Sequence, residues 1–262
     1  MQISAHSPLF DLTGTVALLT GATRGMGYAM AEAMAQHGAT VIVSSNEAEA
    51  CSATEAKLRA DGYTARGIHC DVGSRAQLQA LVNEALRLYG RIDTLVCCAG
   101  VAPHAGPIAS ATDAEWDLTM NVNLRSTLWL TSLVIPGMVE RGGGSVILMA
   151  SLSSLRGSGN IGLYGLSKAG CAQLARNLAV EWGPKNVRVN AISPGVIDTE
   201  FARPLTGNSE VLARRLALTP LRRIGTPQEV AGLAVLLASP SGAFITGQNL
   251  VVDGGTVISD GS

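Results

Sequence analysis

The chain has 262 residues, of which 47% are hydrophobic and 15% charged, and its net charge at pH 7 is −1. This composition favours one large, well-buried domain and excludes a disordered chain or a repeat array. Because the charge is nearly balanced and no Lys/Arg run or basic aromatic stripe occurs, we expect no nucleic-acid partner.

Short apolar runs alternate with longer Ala-rich stretches in chain order. The predicted strands are residues 15–20, 41–43, 65–70, 93–97, 145–150 and 187–192. The predicted helices are 27–36, 52–60, 75–89 and 114–139, followed by one that carries Tyr164 and Lys168. This alternation predicts right-handed βαβ units in a doubly wound parallel sheet covered by helices on both faces. The fold class is therefore a single Rossmann-like α/β domain over residues 1–262, with a mobile substrate segment near 197–226.

The N-terminal sequence has no basic segment followed by an apolar stretch, and no apolar run reaches the roughly 18 residues that span a bilayer. We therefore expect a cytoplasmic protein without a membrane partner. The five cysteines form no CxxC pair and no Cys/His ligand spacing. Free thiols and no bound metal are the expectation.

Tyr164 and Lys168 are four residues apart, so one helical face would carry the phenol and the ammonium, with Ser151 a short loop upstream. An ammonium stabilises a neighbouring phenolate, which would let Tyr164 act as an acid or a base. The spacing also fits an ordinary amphipathic helix. The choice depends on whether the chain builds a cofactor site.

A glycine-rich turn at residues 20–27 joins the first predicted strand to the first helix. Its glycines let the backbone approach a ligand, and the free amides of the helix start favour an anionic pyrophosphate. A tight strand-to-helix turn without a ligand is the alternative. Asp71, just past the third strand, would accept a hydrogen bond from an adenine amino group, or else cap a helix.

In these motifs the chain resembles the short-chain dehydrogenase/reductase family over essentially its whole length. Residues 20–27 match the family's TGxxxGxG turn, and Tyr164 with Lys168 matches its YxxxK motif. Ser151 lies thirteen residues before Tyr164, and Asn123 stands in a Val-Asn-Leu context seven positions after Trp116. Residues 193–199 resemble the family's PG segment, and residues 244–247 and 252–255 its C-terminal signature.

The resemblance implies hydride transfer between a nicotinamide and a carbonyl or alcohol carbon. Tyr164 would exchange the proton, and Ser151 would hold the carbonyl oxygen. Lys168 would hydrogen-bond the nicotinamide ribose and favour the phenolate. Asn123 would hold a water that links Lys168 to solvent.

The resemblance also implies a dinucleotide site built from the glycine turn, the ends of the second to fourth strands, the catalytic helix and the PG segment. The backbone of Ile197 and the hydroxyl of Thr199 would hold the nicotinamide carboxamide. The implied cofactor-binding residues are Gly21, Thr23, Arg24, Gly25, Met26, Gly27, Ser45, Asn46, Asp71, Val72, Ala99, Gly100, Tyr164, Lys168, Pro194, Gly195, Ile197 and Thr199.

The end of the second strand bears on the choice between NADP and NAD. Ser45 stands where NAD-preferring relatives usually carry Asp, and Arg24 could reach a 2′-phosphate. Against this, Asn46 stands where many NADP relatives place a second arginine, and Glu47 follows. We predict that NADP(H) is preferred over NAD(H).

The chain departs from the family at Cys97-Cys98, where relatives usually have Asn-Asn. We expect buried packing thiols rather than nucleophiles. The change should alter rigidity or stability more than the type of reaction.

The sequence specifies the substrate class less closely than it specifies the fold or the type of reaction. A ketone or secondary alcohol is expected, with 3-oxoacyl thioesters, sugars or polyols, and steroid-like or quinone-like ketones all open. Five arginines would form solvated helix faces or contact an acidic group: Arg203, Arg214, Arg215, Arg222 and Arg223.

Rival functions on the same fold are a cofactor sensor without catalysis and an epimerase, the latter disfavoured by the glycine spacing. By the resemblance alone, a homotetramer or homodimer is implied, paired through two long helices and the C-terminal strand.

Overall fold

A parallel sheet organises the molecule in the computed structural model, which describes residues 7–259. Its strand order is β3-β2-β1-β4-β5-β6-β7, and every pairing is parallel. The strands are β1 (Val16–Thr20), β2 (Thr40–Ser45), β3 (Ala65–His69), β4 (Thr94–Cys97), β5 (Gly144–Met149), β6 (Val187–Pro194) and β7 (Asn249–Val252). The order reverses between β1 and β4, and ligands bind beyond the carboxyl ends of strands at such a point.

Helices cover both faces of the sheet. They are α1 (Gly25–Gln36), α2 (Ala48–Ala60), α3 (Arg75–Tyr89), α4 (Asp113–Met120), α5 (Ser126–Glu140), α6 (Gly162–Trp182), α7 (Arg203–Thr206), α8 (Ser209–Ala217) and α9 (Pro227–Ala238). One buried cluster joins α3, α5 and α6 to the sheet, and a second joins α1, α2 and α9 to its other face. The predicted doubly wound Rossmann-like fold is confirmed; residues 1–6 and 260–262 of the predicted domain lie outside the described part.

The stretch predicted as one helix over residues 114–139 is three pieces. α4 ends at Met120, a π-helical turn spans Asn121–Arg125, and α5 begins at Ser126. A π turn inserts one residue into the helix without breaking it, so the apolar periodicity does not reveal it. The turn carries Asn123, which is 1% exposed.

The segment predicted to be mobile contains α7 and α8 and a 3-10 turn at Glu200–Ala202. Its mobility stays a prediction. In residues 7–259 no helix combines the length and apolar character that crossing a membrane requires.

The helices α7 and α8 of that segment were not predicted, and neither were α9 and β7. β7 is a four-residue edge strand with half-exposed side chains, which gives little periodic signal. α9 begins in a capping box in which Thr226 and Glu229 bond reciprocally, a signal that was present in the sequence.

Candidate active site

Helix α6 holds Tyr164 and Lys168 one turn apart. Lys168 is 3% exposed, and its Nζ donates a hydrogen bond to the backbone oxygen of Met149 at 2.8 Å. The same Nζ lies 5.6 Å from the centre of the Tyr164 ring. The ring also packs against Phe201, with 5.9 Å between the ring centres. The ammonium is therefore fixed beside the phenol, as the helical spacing predicts.

The charge of Lys168 survives its burial. Burial lowers the pKa of this ammonium, negative charge on Tyr164 raises it, and the net direction is upward. The lysine thus stays protonated and supplies a positive charge where a phenolate would form.

Ser151 follows β5 and caps the short helix Leu152–Ser154. Its Oγ accepts a hydrogen bond from the backbone N–H of Ser153 at 3.1 Å, which leaves its own hydrogen available to donate. The turn is tied to β6 and β7, because Ser154 Oγ lies 3.1 Å from Ser193 Oγ and Ser193 donates to Asn249 Oδ1 at 2.7 Å. Ser151 is therefore both a cap and a positioned donor.

Asn123 has a dense set of bonds inside the protein. Its Oδ1 accepts from the N–H of Val101 at 2.8 Å, and its Nδ2 donates to Val101 O and to Ser167 Oγ, each at 2.9 Å. Its backbone oxygen accepts from the Cys171 thiol at 3.1 Å and from Thr127 Oγ1 at 3.2 Å. The amide holds the loop after β4 against α6. Its role in holding a water stays a prediction.

Asn123→Ala should lower the free energy of unfolding by about 1–3 kcal/mol, because it leaves buried partners on Val101 and Ser167 unpaired. Asn121 is the control, since its side chain makes one bond, from Nδ2 to Gly73 O at 3.0 Å. Asn121→Ala should lower the free energy of unfolding by about 0.5–1.5 kcal/mol. Urea unfolding of both variants measures the difference, and a larger loss for Asn121→Ala would contradict this assignment.

The thiols around Lys168 are held in the neutral form. Burial raises the pKa of Cys97, and it raises the pKa of Cys98 to about 11 although the Lys168 charge opposes this. Burial raises the pKa of Cys171 as well. Cys97 is buried and Cys98 is partly exposed. Neutral thiols are poor nucleophiles, which supports a packing role for Cys97 and corrects the predicted full burial of Cys98. Residues 7–259 hold no cluster of three His, Cys, Asp or Glu side chains suited to a metal ion.

The glycine turn before α1 requires residues without a Cβ. Gly21 has φ +63°, and a Cβ there would lie 2.7 Å from the backbone of Ala99. A Cβ on Gly27 would lie 2.1 Å from the backbone oxygen of Gly21. Gly25 faces Thr199, whose methyl group would lie 3.3 Å from an added Cβ. The turn therefore brings the end of β1 directly against the loops after β4 and β6.

The start of α1 is open to an anion. Arg24 is the N-cap residue, but its side chain makes no capping hydrogen bond, and the first turn has no acidic residue. Uncapped amides at a helix N-terminus favour a phosphate group. Thr23, Gly25 and Met26 are half-buried around this opening. These residues fit a dinucleotide, and their role in binding one stays a prediction.

The residues that bear on the 2′-position are already engaged with one another. Arg24 Nη1 forms an ion pair with Glu47 at 2.9 Å, and its Nε lies 3.9 Å from Glu200. Ser45 is buried, and its Oγ accepts from the N–H of Glu47 at 3.1 Å. Asn46 is exposed beside them. Arg24 is therefore shared between two carboxylates, and its contact with a 2′-phosphate stays a prediction.

The predicted adenine and ribose contacts lie at the ends of β3 and β4. Asp71 is exposed, and its Oδ1 accepts from the N–H of Gly73 at 2.9 Å. The cap of α3 is Ser74, so Asp71 does not take the alternative role. Val72 is buried, and Ala99 is half-buried.

Gly100 allows the catalytic helix to approach the end of β4. A Cβ on it would lie 3.3 Å from Lys168 Nζ and 3.4 Å from Asn123 Oδ1. The glycine therefore leaves room for both side chains.

The PG segment leaves the end of β6 beside β7. The N–H of Gly195 donates to Val252 O at 2.9 Å, and a Cβ on Gly195 would lie 2.8 Å from Asp253. Ile197 is buried, and Thr199 Oγ1 donates to its backbone oxygen at 3.3 Å. Close packing fixes this segment next to the glycine turn.

One cleft of about 420 Å³ brings together part of the predicted site, whereas Asn123, Lys168 and the residues at the ends of β2, β3 and β4 do not line it. The predicted site residues that line it are Met26, Ser151, Tyr164, Pro194, Gly195, Ile197 and Thr199. Apolar side chains close it, among them Leu152, Ile161, Val196, Phe201, Leu205 and Leu218.

Two arginines also line the cleft, Arg156 and Arg215. Sequence reasoning missed Arg156, although it is the one charged residue between Ser151 and Tyr164. A single charged residue so close to both predicted catalytic residues was the signal that the sequence offered.

A family model described as enoyl-(acyl carrier protein) reductase matches residues 21–257. A pig (Sus scrofa) protein named dehydrogenase/reductase SDR family member 4 is 40% identical over 248 residues, which cover 94% of this chain and 88% of the relative. The chain belongs to the short-chain dehydrogenase/reductase family. It is thus an oxidoreductase of a family that uses NAD or NADP.

Solved members of the short-chain dehydrogenase/reductase family share the whole fold. A 7α-hydroxysteroid dehydrogenase complexed with NADH and 7-oxo glycochenodeoxycholic acid superposes with a TM-score of 0.92 at 34% identity, covering 96% of this chain and 98% of that one. A gluconate 5-dehydrogenase from Burkholderia cenocepacia, in complex with NADP and tartrate, gives a TM-score of 0.93 at 30% identity with the same coverage. The two relatives bind different nicotinamide cofactors, so family membership leaves the preference of this chain open.

Proposed function

We propose that the protein interconverts a ketone and a secondary alcohol by NADP-dependent hydride transfer, with Tyr164 as general acid and base. One observation carries this proposal: a single cleft joins Ser151 and Tyr164 to Met26 of the glycine turn and to Thr199 of the PG segment. A nicotinamide held by the turn and the segment would lie beside the phenol. That is the arrangement in which hydride and proton reach one carbonyl.

The side chains divide the work of reduction. The nicotinamide supplies the hydride when it is bound. Ser151 donates a hydrogen bond to the carbonyl oxygen, and Tyr164 gives that oxygen a proton as negative charge develops. Lys168 keeps its charge beside Tyr164 and stabilises the phenolate that remains. In oxidation each step runs in reverse.

The dinucleotide would lie along the carboxyl ends of β1 to β4. The open amides at the start of α1 would bind the pyrophosphate, and Asp71 would accept from the adenine amino group. Ala99 and Gly100 would face the ribose, and Ile197 with Thr199 the carboxamide. Lys168 would also donate to the nicotinamide ribose.

The preference for NADP depends on Arg24 leaving Glu47 for a 2′-phosphate. A doubly charged phosphate offers the guanidinium a stronger partner than one exposed carboxylate. Ser45 stands where NAD-preferring relatives usually carry Asp, so that position supplies no carboxylate for the ribose hydroxyls. Both features support the phosphorylated cofactor.

Catalytic efficiency with NADPH should exceed that with NADH, and Arg24→Gln should lower the NADPH value by about tenfold, since one charge-assisted hydrogen bond contributes about 1.5–3 kcal/mol. Its NADH value should change little. Arg59→Gln on α2 is the control, because Arg59 is an exposed arginine paired with Glu55 at 3.1 Å. A clear NADH preference in the unmodified protein would refute the assignment.

A panel of carbonyl compounds and alcohols tests the proposed function directly. Ketones, 3-oxoacyl thioesters, polyols and secondary alcohols are supplied with NADPH, NADP, NADH or NAD, and nicotinamide absorbance is followed. Turnover of polyols with NAD would favour the alternative of a polyol dehydrogenase. Turnover of thioesters would favour the alternative of a 3-oxoacyl thioester reductase. Cofactor binding without turnover of any carbonyl would favour the sensor.

Two further expectations accompany this proposal. Assembly into a homotetramer or homodimer is expected from the family, and the size of the protein in solution tests it. A cytoplasmic location stays a prediction; one relative, human dehydrogenase/reductase SDR family member 2, is named as mitochondrial.

A further inference from the structure

Two guanidinium groups share the cleft with Tyr164 and Ser151. Arg156 lies in the loop between these residues and is half-buried, and Arg215 reaches in from α8, also half-buried. Among the residues that the structure describes, neither arginine has a carboxylate within ion-pair distance. Two positive charges therefore face one cavity without a direct partner.

Two nearby arginines outside the cleft are paired with carboxylates. Arg203 pairs with Glu200 at 3.2 Å, and Arg223 pairs with Glu229 at 2.6 Å. Arg214 and Arg222 have no ion pair among the described residues, but both are exposed to solvent. What distinguishes Arg156 and Arg215 is that they are unpaired, half-buried and line the cleft.

The charges on Arg156 and Arg215 are close enough to repel. Burial lowers the pKa of Arg156, the charge of Arg215 lowers it further, and the charge of Asp253 raises it in part. Asp253 is already engaged, because its oxygens accept from the N–H groups of Gly255 at 2.8 Å and Val257 at 2.6 Å. An added anion would relieve the repulsion and restore charge balance.

The rest of the wall is apolar. Phe201, Leu205 and Leu218 face the same space and come from the segment that also carries Arg215. Such a wall favours a hydrocarbon body, while a guanidinium fork matches the two oxygens of a carboxylate. The cleft thus offers separate sites for an apolar body, a reacting carbonyl and an acid group.

We infer that the substrate is an oxo acid or hydroxy acid with an apolar body, whose carboxylate binds between Arg156 and Arg215 while its carbonyl meets Ser151 and Tyr164. This inference rests on the proposed function and names its substrate class. The arginines bind and orient the substrate; the proton still comes from Tyr164.

The test compares oxo carboxylic acids of increasing chain length with their methyl esters. With NADPH, kcat/KM for the acid of best length should exceed that for its ester by about tenfold or more, the effect of one charge-assisted contact. Arg156→Gln and Arg215→Gln should each remove about tenfold from the acid, mainly through KM. The values for the ester, which carries no negative charge, should fall much less.

Arg214→Gln is the matched control, because Arg214 precedes Arg215 on α8 but is exposed and does not line the cleft. It should leave both substrates unaffected. Equal efficiency for acid and ester in the unmodified protein would overturn the inference while leaving the carbonyl chemistry intact.

Two other outcomes would count against the inference. A phosphate monoester of the same length that is reduced better than the acid would overturn the carboxylate assignment. Failure to reduce any acid or ester while other ketones of the panel are reduced would overturn the inference alone, whereas failure with every carbonyl compound would overturn the proposed function as well.

Discussion

Tyr164→Phe is expected to lower kcat for carbonyl reduction by about 10²–10⁴-fold, the usual contribution of a positioned acid. The phenylalanine ring keeps the contact with Phe201, at 5.9 Å between ring centres in the unmodified protein, so the cleft should keep its shape. The cofactor should still bind, because the glycine turn and the PG segment are untouched. Nicotinamide absorbance gives kcat, and nucleotide fluorescence gives the cofactor Kd.

Tyr63→Phe provides the control for this change. Tyr63 is half-buried against the core formed by α1, α2 and α9 and does not line the cleft. Its loss of a hydroxyl should leave kcat near that of the unmodified protein. A Tyr164→Phe variant that retained more than about a tenth of the activity would show that another group supplies the proton.

Gly27→Ala should lower the free energy of unfolding by about 3 kcal/mol or more and abolish cofactor binding. The added methyl group would lie 2.1 Å from the backbone oxygen of Gly21, so two backbone segments must separate. Overpacking against side chains already costs about 1–3 kcal/mol, and backbone yields less easily. Separation of the turn from α1 would also disperse the amides that face the pyrophosphate. Urea unfolding and cofactor titration measure the two effects.

Gly232→Ala makes the same chemical change in α9 without the contact. Gly232 is exposed, and an added Cβ would meet nothing within 4 Å. The substitution should stabilise the protein by about 0.5–1 kcal/mol, because alanine favours the helix. Similar effects of the two substitutions would mean that the close approach at Gly27 does not matter.

Local sequence signals predicted the bounds of an element where capping residues mark its ends. The predicted helix 75–89 has the observed bounds, because Ser74 caps its start and Gly90 adopts φ +70° at its end. The π turn at Asn121–Arg125 escaped prediction because apolar periodicity continues through it. Strand β7 escaped because an edge strand of four half-exposed residues has no distinctive pattern.

The sequence predicted those residues of the site that belong to family motifs, and it did not predict the others. Parallel strands end at one edge of the sheet, so Gly21, Gly100, Ser151 and Pro194 converge although they are far apart in the chain. The partners of individual charges depend on side-chain packing. That is why neither the ion pair between Arg24 and Glu47 nor the place of Arg156 in the cleft followed from the sequence.

Transfer of deuterium from NADPH that carries two deuterium atoms at C4 of the nicotinamide tests the central claim most directly. The protein is given the labelled cofactor and the best ketone from the panel, and the alcohol product is analysed by mass spectrometry. Hydride transfer within the cleft predicts one deuterium on the carbinol carbon for each NADPH oxidised. Oxidation of NADPH without label in the product, or an unlabelled isomer formed without net oxidation, would contradict it.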